Sequence, residues 1–191
     1  MIAALVSTNA LAVTMTMLAQ SSKRDEETFM RLYNEVLAFA VCLAQMRIQK
    51  KFRIKNGRDI LAIVQEILQQ FRDLPVPREI PKGLDIAVTR DMLDTATTEA
   101  FLERVVYYAT RNYRALGITD EALEAFCKIT RQIPSVIKGA GWTMVLLMFQ
   151  IRTAGFLLEE SELPHRLLPM LSAAREGCQF IMDKCDHVLN Q

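Results

Sequence analysis

The sequence predicts an all-α protein, a single helical domain over 1–191 with about six to eight helices packed around one buried helix at about 136–159. Three observations carry this. Just over half of the 191 residues are hydrophobic, yet only seven are Gly and six Pro, which leaves few sites for the tight turns a sheet protein needs. Apolar residues recur at spacings of three and four through several long segments, separated by capping and breaking residues. Between Lys138 and Arg152 the chain carries no charge, and Trp142, Met144, Val145, Leu146, Leu147, Met148, Phe149 and Ile151 cover every side of a helical wheel. A helix apolar all round has to be enclosed. That run is shorter than the roughly 20 residues a bilayer requires, so the enclosure expected is protein.

The first element is a nearly uncharged helix in 1–22, followed at once by Lys23-Arg24. It lacks the positive n-region of a secretory signal. Ser7, Thr8, Asn9, Thr14 and Thr16 interrupt its apolar character, which favours a helix docked on the protein over a membrane-associated segment or a partner-bound interface helix. Ser21 or Ser22 is the expected cap of the second helix, with Asp25, Glu26 and Glu27 at its positive end. Its stripe is Phe29, Leu32, Val36, Phe39, Leu43 and Met46. Asn56-Gly57 marks the turn after it. Asp59 opens a third helix with the stripe Ile60, Val64, Ile67, Phe71 and Leu74.

Pro75, Pro77 and Pro81 then break the pattern, making 74–88 the expected hinge or extended crossing. Thr89 caps a short helix, and Thr97 or Thr98 caps one that runs to Gly117 with Leu102, Val106, Ala109, Tyr113 and Leu116 on its stripe. Thr119 caps a helix through Leu123, Phe126, Thr130 and Ile133, which Pro134 ends or kinks. After the central helix, Ser161 and the prolines at 164 and 169 mark the start of the last one. There Leu167, Leu171, Ala174, Cys178, Ile181, Cys185 and Val188 form a heptad seam. A bundle helix is favoured over a coiled-coil interface because the seam uses Ala and Cys.

Chemistry is sparse. The two His, His165 and His187, belong to no Glu-x-x-His pair, so a di-iron carboxylate bundle is excluded, and no metal or cofactor is expected. There is no nucleophile elbow and no phosphate-cradling glycine loop. The sequence leans away from an enzyme. The four Cys form no C-x-x-C pair and, with ten Met, suit a reducing compartment, hence a cytoplasmic location.

The strongest polar feature is the cluster Arg47, Lys50, Lys51, Arg53, Lys55 and Arg58. It straddles a helix end with no acid among the basic residues and has Phe52 beside it. It is a candidate contact for phosphate or nucleic acid, extended by Tyr107, Tyr108, Tyr113, Arg104, Arg111 and Arg114 if that helix lies nearby. A net charge of +1 weighs against nucleic acid. Cations at a helix C-terminus have a plainer cause in the helix dipole. Two nearly uncharged helices and a seam are much apolar surface for one domain. The leading expectation is therefore a non-enzymatic interaction or scaffold protein that self-associates through the seam or the N-terminal helix. A binder of a small, lipid-like apolar ligand is the alternative, and a nucleic-acid or anionic-surface binder the third.

Overall fold

The computed structural model describes residues 2–23, 25–72, 99–131, 141–159 and 161–191. Within them lie seven helices and no strand. They are α1 (Ile2–Leu18), α2 (Glu26–Phe52), α3 (Gly57–Arg72), α4 (Glu99–Thr110), α5 (Asp120–Ile129), α6 (Gly141–Leu157) and α7 (Leu163–Leu189). The expected hinge at 74–88, the short helix after Thr89, the caps at Thr97 and Thr98, and the breaks at Ile133 and Pro134 lie outside the described residues.

Two long helices form the middle of the bundle. α6 is enclosed as expected, with every residue from Met144 to Ile151 buried. Trp142 differs, standing 38% exposed because it sits on the first turn, where α6 emerges from the core. α2 packs against α1, α3, α4, α6 and α7, and buries an unbroken run from Glu35 to Gln45. Its stripe is thus wider than the pattern Phe29 to Met46 suggested. Ala38, Ala40 and Ala44 are small enough to bury between the larger residues. Phe39 stacks on Phe149 of α6 with centroids 4.2 Å apart and meets Tyr108 of α4 edge-on at 5.9 Å.

α1 docks on α2, α7 and α3, burying Val6, Ala10, Val13, Thr14, Met17 and Leu18. Two of its hydroxyls bond within the helix: Thr14 Oγ1 donates to the Ala10 carbonyl at 2.7 Å and Thr16 Oγ1 to that of Ala12 at 3.0 Å. No described helix is long and apolar enough to cross a membrane. The approach to α7 is close at Gly177, where an added Cβ would lie 2.7 Å from Val13 Cγ1.

Several boundaries depart from expectation for local reasons. Asp25, not Ser21 or Ser22, caps α2, accepting from the Thr28 N–H at 2.8 Å. Ser21 is buried and donates instead to the Leu157 carbonyl at 2.8 Å, tying the first loop to the end of α6. Asn56 Oδ1 accepts from the Arg58 N–H at 3.0 Å at the start of α3, leaving Asp59 within the first turn. α4 stops at Thr110 rather than Gly117, because the chain turns at Arg111 (φ 58°) and again at Gly117 (φ 77°). Its buried face is Phe101, Val105 and Tyr108, one position away from the Leu102–Val106 stripe. Thr119 caps α5 as expected, accepting from the Ala122 N–H at 3.1 Å. α7 begins at Leu163 with Pro164 in its first turn, Pro169 inside the helix and no side-chain bond from the cap, so Ser161 is not its cap.

Candidate functional site

Three regions concentrate polar or exposed apolar groups: a buried ionic cluster, the basic end of α2, and a groove beside α7.

In the first, Glu35 is 1% exposed within the apolar run of α2. The buried Tyr108 hydroxyl of α4 donates to its Oε1. Arg152 Nε of α6 lies 2.8 Å from its Oε2, and Arg104 Nε of α4 lies 3.5 Å from the same oxygen. Arg152 also donates from Nη1 to the Leu116 carbonyl at 2.5 Å, closing the turn after α4. Burial and then the Glu35 charge push the Tyr108 hydroxyl well above its ordinary range, so it stays protonated and serves as a donor. This cluster pins α2, α4 and α6 together. Arg104 and Tyr108 therefore belong to it and do not extend the basic cluster, which begins twelve residues, or about 18 Å, further along α2. Arg114 is likewise engaged, 2.5 Å from Asp120, beside Tyr113, whose hydroxyl donates to the other Asp120 oxygen at 2.5 Å.

The basic cluster divides. Arg47 pairs with Asp186 of α7, and Lys51 donates to Asn190 Oδ1 at 2.6 Å. Both steps ascend α2 and α7 together, so these two helices run parallel and end side by side. Their C-terminal carbonyls carry partial negative charge, which Lys50 and Lys51 in the last turn offset. Arg53 is the left-handed C-cap of α2 at φ 55°. Lys50, Lys51, Arg53, Lys55 and Arg58 are exposed. A largely apolar groove of about 690 Å³ lies between the end of α2, α3 and the end of α7, and none of these five cations is among its described lining residues. Ile48, Phe52, Ile63, Ile67, Val188 and Leu189 line it, and Phe52 at its mouth is 62% exposed.

The heptad seam of α7 faces inward. Leu167, Leu171, Ala174, Cys178, Ile181 and Cys185 are buried in the core that α7 shares with α1, α2 and α6, and Val188 lies at the groove just described. Packing within the chain occupies the face that the expected interface would use. On the outer side of α7 two further depressions, of about 420 and 440 Å³, both include Trp142 in their walls. Sequence reasoning assigned Trp142 to the core and passed over its neighbours. The signal present in the sequence was its position, at the first turn after the flanking glycines Gly139 and Gly141.

Cys42, Cys127, Cys178 and Cys185 are all buried thiols, none of them in a disulfide. Burial pushes the Cys42 and Cys178 thiols up to about 12 and that of Cys185 to about 11. His165 and His187 are exposed, and among the described residues no cluster of His, Cys, Asp or Glu could hold a metal ion. Comparison with protein-family models, curated proteins and solved structures gave no match to this chain.

Proposed function

We propose that the protein is a non-enzymatic helical interaction module that docks an acidic amphipathic segment of a partner protein along the Trp142 groove. One observation carries this reading. Among the described residues, the two depressions that meet at Trp142 are lined by four cations, Arg47 (itself paired with Asp186), Lys50, Arg131 and Arg175, and by no acid. Three of the five large exposed apolar side chains among the described residues converge there as well, Ile129 at 50%, Trp142 at 38% and Leu168 at 64%. Trp and Arg are the residues that most often anchor interfaces. From Leu168 to Met182 the lining follows α7 for about 21 Å, the length of a peptide helix of roughly 14 residues.

Self-association through the α7 seam is not part of this proposal, because those side chains pack inside the chain. The four buried thiols, none of them in a disulfide, support the cytoplasmic setting proposed with it.

The test uses a synthetic helix of about 14 residues, leucine on one face and glutamate on the other, and its counterpart with lysine for glutamate. Trp142 is the sole tryptophan and reports binding directly. The acidic peptide should shift Trp142 emission to the blue, bind more weakly as salt rises, and lose about tenfold in affinity with Arg131→Glu or Arg175→Glu, each worth about 1.4 kcal/mol. Equal binding of the lysine peptide, or no response at Trp142, would overturn the reading.

A further inference from the structure

The groove between α2, α3 and α7 differs from the Trp142 groove in chemistry and shares no described lining residue with it. Its volume of about 690 Å³ falls in the range of small-molecule sites, about 300–1,000 Å³. Ile48, Ile63, Ile67, Val188 and Leu189 make its walls aliphatic, and Glu66 is the one charged residue among its described lining. Glu66 Oε1 accepts from Gln70 Nε2 at 3.0 Å, which uses only part of the acceptor capacity of an exposed carboxylate. Two helices also end here. Phe52 is the last residue of α2, and Val188 and Leu189 are the last two of α7. A helix C-terminus carries about half a negative charge. Phe52 is 62% exposed, and the face of its ring is electron-rich as well.

Carboxylate, helix ends and ring face all favour a positive group on the ligand, and all disfavour an anion. The basic residues nearby in sequence do not fill that role. Lys50, Lys51, Arg53, Lys55 and Arg58 are exposed, none is among the described lining, and Lys51 donates to Asn190 at 2.6 Å. Such hydrated surface charges are screened by salt over about 8 Å, whereas the lining groups touch whatever occupies the groove. From the aliphatic walls, the single carboxylate and the two helix ends we infer that the groove binds a free organic cation with an apolar body, an alkylammonium compound. Its hydrocarbon packs on the aliphatic walls, and its charge is offset by Glu66, the Phe52 ring and the ends of α2 and α7. This inference does not depend on the Trp142 groove.

Octyltrimethylammonium, octanol, octanoate and vesicles of phosphatidylcholine are the probes, followed by calorimetry, light scattering and methyl NMR of the full chain. Octyltrimethylammonium, kept below its micelle concentration, should bind one-to-one, perturb Ile48, Ile63, Ile67 and Val188, and leave Trp142 emission unchanged. Octanol should bind about tenfold more weakly, and octanoate not measurably. Glu66→Gln changes only the charge at an exposed position; it should weaken the ammonium compound about fivefold and leave octanol unaffected. Adding Phe52→Leu should bring the loss to about tenfold. Ala62→Leu, which adds bulk to the lining from an exposed position, should abolish binding of both. Equal affinity for the alcohol or the carboxylate, perturbations outside the groove, or undiminished binding by a folded Glu66→Gln or Ala62→Leu variant would overturn the inference. So would a response to vesicles alone, which assigns the groove to a membrane surface, or a dimer that the probe dissociates, which assigns it to a second copy of the chain.

Discussion

Replacing Glu35 with Ala tests the ionic cluster that joins α2, α4 and α6. Removing one partner of a fully buried ion pair costs about 3–5 kcal/mol. Here the two guanidinium groups are 26% and 25% exposed and can recover hydration, which places their share at the lower end. The Tyr108 hydroxyl cannot, since it is fully buried, and an orphaned buried donor costs about 1–3 kcal/mol. The sum expected is about 4–6 kcal/mol. In a chain of this size each kcal/mol lowers Tm by about 2–4 °C, so the loss is about 10–20 °C. Urea unfolding followed by circular dichroism measures it, and the denaturant slope should stay unchanged if only stability moves. Glu35→Gln keeps an acceptor for Tyr108 and should lose about 2 kcal/mol. If Glu35→Ala cost less than about 1 kcal/mol, or no more than Glu35→Gln, the reasoning that the carboxylate organises the three helices would fail.

Other outcomes follow from separate features. Gly177→Ala should destabilise by about 1–2 kcal/mol, since the clash with the stiff Val13 outweighs the better helix propensity, and Val13→Ala should restore most of the loss in the double variant. Asp25→Ala should cost about 1 kcal/mol by uncapping α2, read from the same unfolding curves. Alkylation of the native protein near neutral pH should label almost no thiol, while denaturant exposes all four. Because Cys42, Cys178 and Cys185 have folded pKa values raised above the ordinary 9.0, their contribution is fully present below pH 9 and is lost as pH rises toward 11 to 12. Unfolding midpoints should fall over that interval, and the triple Cys→Ser variant should show a shallower fall.

The all-α class was legible because helical periodicity is a property of each segment by itself. Thr119 could be read as a cap for the same reason: its partner is three residues away. Ser21 misled because its best acceptor, the Leu157 carbonyl, lies 136 residues along the chain. The ionic cluster was hidden in the same way. Glu35 sits on the stripe between Leu32 and Phe39, and an acid at a core position was a signal open to reading, but its partners Tyr108 and Arg152 belong to other helices. The basic cluster was visible as charge, whereas the groove between α2, α3 and α7 comes from three helix segments that only the fold brings together. The α7 seam was visible as periodicity, and its partners again were not.

The parallel pairing of α2 with α7 bears on how the chain acquires its structure during synthesis. Arg47 and Asp186 are 139 residues apart, and α1 also rests on α7. The first two helices leave the ribosome with the faces meant for α7 uncovered, and those faces remain open until the final 27-residue helix emerges. Contacts of such wide sequence separation slow folding. A nascent chain with that much apolar surface waiting for its last helix is exposed to aggregation throughout. Truncation anywhere in α7 therefore removes the wall that both early helices require, and slowing translation lengthens the vulnerable interval rather than easing it.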